Sequence, residues 1–487
     1  MDRNRLRHTG RRFADGESPR KGVPSGRKKP LTMSSATPLS CQSDRDLQPV
    51  LFSEPERSYA QELAESKRFV ERYRGDDRFR EQLSVDPKAT LQGAGIGLPI
   101  EELGPLFQDG CPPSRVSRRS QAYLQEKIAY RDRMRKDLKF ASLGLDNWRK
   151  RQIERCRWQL GAVNAEAIAH PPAAFELSRG CSVGCWFCGV SAPRLSDIWH
   201  ADQANRQLWR ETLEAVREIC GPGAGYSFLY WATDPLDNPD YEQFCLDFYD
   251  IFGQFPQTTT ALALKDVERT RNLLQLSQKH GCPINRFSVL SRKQLLRIHE
   301  QFTPLELLRV ELVLQNKESL GAKSAAGKAL SEIEGEDTHA TTIACVSGFL
   351  FNMPDRQVRW VSPCPASSEH PDGYITHDQA RFETVDELRS ILKQWAAVPA
   401  RLRLTDVVRW RQDLRSKPTE DGFRLQDHRQ GVNFDTSWYP AAERLGELVA
   451  EGCHTVEEIC NYLDEPAEQT ILALQRFHQS AFLEEIS

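Results

Sequence analysis

The sequence predicts an α/β protein, with a parallel sheet or barrel set between a helical N-terminal region and a small winged-helix-like C-terminal domain. Three observations predict it. Short apolar runs alternate with helical stretches between residues 173 and 346, charged helical patterns precede them, and three short helical segments follow residue 440. A chain of 487 residues has room for several domains. Its 39% apolar and 27% charged residues suit a folded, soluble protein rather than a disordered one. No run approaches the ~18 apolar residues of a membrane span. Arg11-Arg12-Phe13 is followed by polar residues where an export signal needs hydrophobes, so a cytoplasmic protein with no membrane partner is expected. A net charge of −3 argues against a nucleic-acid partner. The thirteen cysteines, an odd number, point to thiols or metal ligands rather than a disulfide framework.

Residues 1–54 are rich in Arg, Ser, Pro and Gly without an apolar period, and are expected to form a disordered basic tail. Residues 55–110 read as a small helical unit. Leu63, Phe69, Val70 and Tyr73 share a face, Asp77 precedes Phe79 and Leu83, and Asp86-Pro87 is an N-cap with proline at the first helical position. Residues 111–165 continue as a helical linker that carries Trp148 and Trp158. From 166 to 400 the strand candidates are 173–178, 226–231, 258–263, 286–290, 308–314 and 341–346, with helices at 204–219 and 267–277. In such folds the chemistry collects on loops at the C-terminal ends of strands. Residues 401–487 carry a Leu445, Leu448, Val449 stripe, a Thr455 to Glu458 capping box and a last helix with Ile471, Leu474 and Phe477, closed by a hairpin. Between 440 and 487 ten Asp and Glu face two Arg, so a peptide ligand fits this module better than DNA.

The densest chemical signal is Cys181, Cys185 and Cys188, spaced Cys-x3-Cys-x2-Cys on a loop after the first strand, among Gly180, Gly184 and Gly189. Three thiolates on one loop make a metal site. Zinc needs a fourth ligand, for which His170 and His200 are the near candidates. A cubane cluster held by three cysteines leaves one iron open to an exogenous ligand.

This spacing, with Phe187 before the third cysteine, resembles the radical S-adenosylmethionine (SAM) superfamily. The resemblance implies a partial (β/α)6 radical SAM barrel and a [4Fe-4S] cluster on Cys181, Cys185 and Cys188. It also implies SAM held at the open iron as the source of a 5′-deoxyadenosyl radical. The Gly-Gly-Glu of that superfamily is replaced by Ala232, Thr233 and Asp234, whose hydroxyl and carboxylate supply acceptors for the SAM ammonium. Ser288 and Ser291 are candidates for its ribose or carboxylate.

Cysteine pairs for further clusters are missing after Cys188, so a single cluster is expected. The runs 175–190, 233–241 and 361–374 are similar to radical SAM peptide epimerases that mature ribosomally made, proteusin-type peptides. Residues 69–107 resemble Nif11-type leader sequences, and residues 401–487 resemble the leader-recognition elements of such maturases. The implied substrate is a precursor peptide with a leader, and the implied reductant a flavodoxin or ferredoxin. Inverting an L-residue requires removal of the Cα hydrogen and return of hydrogen to the opposite face, and a thiol with its weak S–H bond is the natural donor. Cys364, between Pro363 and Pro365, is the first candidate and Cys345 the second. A crosslinking or methylating peptide maturase, or an inert leader-binding scaffold, are the competing functions.

Overall fold

The computed structural model describes residues 47–136, 138–321, 326–331 and 341–486. Of the tail expected over 1–54, residues 1–46 lie outside the described residues. The rest is anchored: Val50 and Leu51 are buried and donate their N–H groups to Glu126 at 2.9 Å, because these apolar residues gain a core that the polar stretch before them cannot use. Helices α1 (Arg57–Gly75), α2 (Asp77–Val85), α3 (Pro87–Gly93) and α4 (Ile100–Leu103) follow, closed around Phe69, Phe79, Leu83 and Leu91. Asp86 caps α3 as expected, accepting from the Ala89 N–H, an interaction that typically contributes about 1 kcal/mol. Helix α2 is capped by Asp76, which holds the extended backbone from which its carboxylate reaches the Phe79 N–H. Next come α5 (Arg115–Lys136), α6 (Leu143–Leu160) and α7 (Ala162–Glu166).

The central region contains β1 (Ala173–Glu176), β2 (Ser178–Arg179), β3 (Asp197–Ile198), α8 (Gln203–Cys220), α9 (Tyr241–Phe252), β4 (Thr259–Thr260), α10 (Val267–Lys279), β5 (Asn285–Val289) and α11 (Arg292–Gln301). It continues through β6 (Val310–Leu314), β7 (Gly348–Asn352), β8 (Gln357–Pro363), β9 (Tyr374–Arg381) and α12 (Val385–Ala396). Strands β4, β5 and β6 form a parallel sheet, and β1 pairs in parallel with β7, which β8 and β9 extend antiparallel.

Strand–helix alternation is thus present, but the described strands are hydrogen bonded in separate groups rather than as the regular series expected. Residues 226–231 contribute one parallel bridge, Phe228 to Ala174. Residues 341–346 form no strand; the partner of β1 is Gly348–Asn352 instead. The reason lies in the neighbour. Upstream of β1 stand Pro171 and Pro172, which have no N–H to donate, so a ladder can start only where Ser347 and Phe349 donate to their carbonyls. At Gly348 the chains run so close that a Cβ would lie 2.0 Å from the Pro172 oxygen. The main core, with Phe175, Trp209, Phe244 and Phe351, fills the space between this sheet and α8, α9 and α12.

The C-terminal region holds an antiparallel sheet of β10 (Arg415–Thr419), β11 (Gly422–Gln426) and β12 (Gly431–Asp435), followed by α13 (Ala442–Glu451), α14 (Val456–Tyr462) and α15 (Ala467–Gln479). The capping box at Thr455 and Glu458 is formed. A hairpin closing the unit is not: the sheet precedes the helices, because Phe423, Leu425 and Phe434 supply the inner face on which Leu445, Leu474 and Phe477 pack. Leu483 instead bridges back to Trp410. No helix among the described residues is long and apolar enough to cross a membrane.

His478 on α15 is 2% exposed, and neither ring nitrogen has a hydrogen-bond partner among the described residues. Burial pulls its pKa down to about 4. The unfolded chain therefore binds a proton between about pH 6.5 and pH 4 that the folded chain refuses, and stability falls as pH drops through that window, by up to about 1.4 kcal/mol per pH unit. The His478→Leu variant is expected to show a shallower fall of its urea midpoint between pH 7 and pH 5 than the parent chain.

Candidate active site

The loop that carries the three cysteines leaves β2 and is closed on itself by backbone pairing. Cys181 N–H donates to the Pro193 oxygen at 3.0 Å, Leu195 N–H donates to the Cys181 oxygen at 3.2 Å, and β2 pairs with β3 below them. Gly180 is required at its neck: its φ is +82°, and a Cβ there would come within 2.4 Å of the Arg194 oxygen. Residues 326–331 brace the other side, where Lys328 N–H donates to the Cys188 oxygen at 2.9 Å.

Cys181, Cys185 and Cys188 line a cavity of about 930 Å³. Its walls come from residues 226–234, from alternate residues of β4, β5 and β6, from Ile343 and Cys345, and from Leu124, Lys127, Tyr130 and Met134 of α5. Burial pushes the Cys181 and Cys185 thiols up to about 11. Among the described residues the three thiols do not all lie within 4.8 Å of one another. A single zinc ion with Zn–S bonds of about 2.3 Å needs sulfurs roughly 3.8 Å apart. The fourth ligands considered for zinc are also elsewhere, since His170 Nδ1 is bonded to Ser347 Oγ at 2.8 Å and His200 Nδ1 to Asp240 at 3.0 Å, and neither lines the cavity. The spread thiols therefore fit a cluster with an open position better than one ion.

Of the residues expected to hold SAM, Thr233 and Ser288 line the cavity. The Thr233 hydroxyl is buried with no hydrogen-bond partner among the described residues. Asp234 also lines it, but its carboxylate is already engaged: Oδ1 accepts from Thr260 Oγ1 at 2.7 Å and from Leu236 N–H at 3.0 Å, and Oδ2 accepts from Ala261 N–H at 2.7 Å. Burial pushes its pKa up to about 6. Asp234 thus clamps the 233–237 turn to β4. Ser291 lies outside the lining and caps α11, its Oγ accepting from Gln294 N–H.

The two donor candidates separate. Cys345 lines the cavity. It precedes β7, which runs parallel to β1, so it lies toward the N-terminal ends of the strands, whereas the three-cysteine loop follows their C-terminal ends. Cys364 is buried at the end of β8, outside the lining, and its N–H donates to the Gly373 oxygen. Its tertiary setting is the reason: Arg155 and Cys156 of α6 both bond the Pro363 oxygen and cover that turn from behind. Burial pushes both thiols up to about 12.

Three contributions were outside the expected set. Asp237, nearly buried, accepts from Ser182 N–H at 2.8 Å and from Ser182 Oγ at 2.5 Å, hooking the loop between its first two cysteines. Glu176 at the end of β1 accepts from Ala232 N–H at 2.9 Å and Asn352 Nδ2 at 3.0 Å. Helix α5, expected as a linker, is a cavity wall. Asp237 had a signal in the sequence, as the second carboxylate of the 234–237 turn; the other two depend on tertiary neighbours.

Fold and site together define an α/β protein with a three-thiol loop on the wall of a deep cavity. No family model matches the chain. It is 41% identical over 355 residues to the uncharacterized protein y4wI of Sinorhizobium fredii, covering 68% of this chain and 69% of that protein, and it belongs to the same family. A solved structure, BtrN in complex with AdoMet and 2-DOIA, aligns with 39% of this chain and 72% of its own, at 15% identity and a TM-score of 0.29.

Removing the Asp237 carboxylate leaves Ser182 without its acceptors and loosens the loop. Hydrogen bonds to charged groups contribute about 1.5–3 kcal/mol, so retained iron is expected to weaken roughly ten- to hundred-fold after anaerobic reconstitution of Asp237→Ala with iron and sulfide. Ser182→Ala, which keeps the N–H bond, should lose less.

Proposed function

We propose that this chain is a cytoplasmic radical SAM enzyme that inverts L-residues to D-residues in a ribosomally made precursor peptide. The observation that carries this reading is one cavity lined both by the loop of Cys181, Cys185 and Cys188 and by two separate free thiols, Cys282 and Cys345, the second toward the opposite strand ends. Bound on that loop, a [4Fe-4S] cluster with SAM supplies the one-electron chemistry that removes a substrate Cα hydrogen. The three cysteines hold the cluster, and the Thr233 hydroxyl, lacking a partner among the described residues, accepts from the SAM ammonium. Asp234 and Asp237 keep the surrounding loops in place.

Cys345 then returns hydrogen to the face opposite the abstraction. Its S–H bond breaks, a Cα–H bond forms, and the sulfur-centred radical takes one electron from a flavodoxin or ferredoxin and a proton from solvent. Burial suits the task. A thiol pushed up to about 12 keeps its hydrogen at neutral pH, and a thiolate has no hydrogen atom to give. Leu124, Ile128 and Met134 of α5 limit water near the substrate radical. Capture of the leader falls to the C-terminal region, where β12 is an edge of its sheet and an extended peptide can add as a strand.

The test is co-expression in D2O with a leader-bearing peptide encoded beside the enzyme. The parent enzyme should add a deuterium to each inverted centre. Cys345→Ala should keep its iron and cleave SAM yet form no D-residues, while Cys364→Ala should still form them. The reverse pattern would move the donor to Cys364. Loss of hydrogen from the product would mean a crosslink and gain of a methyl group a methylation, and no SAM cleavage at all would leave a leader-binding scaffold.

A further inference from the structure

Strand β5 alternates strictly. Phe287 and Val289 pack into the core shared with α11, while Arg286, Ser288 and, one residue past the strand, Leu290 line the cavity. Arg286 is set apart by what it lacks. Among the described lining residues, Lys127 pairs with Glu311 at 2.5 Å, Arg131 bonds Asp132 at 3.0 Å, and Asp234 is occupied by Thr260, Leu236 and Ala261. The Arg286 guanidinium has no hydrogen bond and no ion pair among the described residues. Its register partner across the sheet is Glu311, yet that carboxylate is held by Lys127 from α5.

Its place matters as much as its charge. Arg286 begins near the N-terminal end of β5, four residues or about 13 Å of strand before Leu290, and so lies toward the strand ends where Cys345 stands. The Arg286 charge lies near enough to favour the ionised forms of the half-buried Cys345 thiol, of Tyr230 and Tyr130, and of Glu311. The surrounding wall is largely apolar, with Ile128, Met134, Phe255, Ile284 and Val313. Arg286 is exposed where it lines the cavity, so its guanidinium is free to meet an incoming anion, and a guanidinium matches a carboxylate through two parallel N–H···O bonds.

We infer that Arg286 recognises a carboxylate of the substrate, so that an acidic group of the substrate is bound on the side of the cavity where Cys345 stands. This rests on reading the cavity as the substrate site, but not on radical chemistry. The carboxylate has two sources, an Asp or Glu side chain or the C-terminus of a peptide. The groups facing Arg286 leave room for one such charge: Lys127 and Glu311 cancel, and the tyrosine hydroxyls stay neutral because burial raises their pKa.

Binding of four probes to the full chain, reconstituted anaerobically, tests this by calorimetry. N-acetyl-glutamate α-methylamide is compared with N-acetyl-glutamine methylamide for the side-chain source, and N-acetyl-alanine with its methylamide for the C-terminal source. One acid should bind at least about ten-fold more tightly than its amide, as expected for hydrogen bonds to charged groups. Arg286→Gln should abolish that preference and Arg286→Lys retain part of it, with iron content and melting temperature of each variant reporting its folding. Equal binding of acids and amides, or a preference that survives in a folded Arg286→Gln, overturns the inference. Iron content and SAM cleavage, read separately, decide the radical reading: an acid preference lost with Arg286 but no SAM cleavage would leave this inference standing and remove that one.

Discussion

Glu176 is the point on which the site hangs. Strand β1 is buried along its whole length, and its last side chain is a carboxyl group taken out of water at the junction of three segments. One oxygen receives the Ala232 N–H, at the start of the turn that carries Thr233 and Asp234; the other receives Asn352, its register partner on β7. Burial pushes its pKa up, against the pull of Arg359 and of these two hydrogen bonds. A buried carboxyl group is tolerated only where such donors are ready. The same contacts that satisfy Glu176 therefore fix residues 231–234 relative to β1 and β7, and the cysteine loop leaves the chain five residues later.

The same device recurs around the cavity. Asp237 collects two donors of Ser182, and Asp234 collects the N–H groups of Leu236 and Ala261 with the hydroxyl of Thr260. In each case an acidic side chain serves backbone N–H groups that no strand or helix uses, which lets irregular loops hold a definite shape. Polar atoms left without a partner then stand out. Thr233 and Trp231 each carry one on the cavity-lining turn, so the unpaired capacity of the site is concentrated where a ligand would lie.

What could be read from the sequence follows the range of the forces involved. The Cys181, Cys185, Cys188 loop and the caps at Asp86 and Thr455 are local: a few residues decide them, and they stand where expected. The 341–346 run is as strand-like as 348–352, and only the prolines beside it, far away in sequence, decide which one pairs. Cys345 is half-buried and Cys364 buried, and their difference lies in whether the cavity or α6 is their neighbour. The C-terminal sheet was hidden because its outward positions are polar, as in the register pair Arg424 and Asn433, so its inner residues Phe423 and Leu425 do not form a run. Ser291 shows the opposite error, a polar residue at a strand end used for capping rather than for a ligand.

The N-terminal unit illustrates how a resemblance and a structural role can coexist. Its α1 is fastened to the central region by Arg68, which donates to the Phe302 oxygen at 2.6 Å, and by Glu71, buried between Lys67 and His299. Gly75 at the end of α1 lies so close to Leu295 and Leu314 that a Cβ would meet them at 2.8 and 3.1 Å. A face that is covered in this way cannot also be offered to another molecule. The unit that resembles a leader sequence is thus a built-in wall support: through Glu62, which pairs with Arg115 and Arg119, it holds the start of α5, and the later turns of α5 close the cavity beside Glu311. A change in how α1 docks would therefore reach the cavity through α5, over a distance that neither the cysteine loop nor the strands need to transmit.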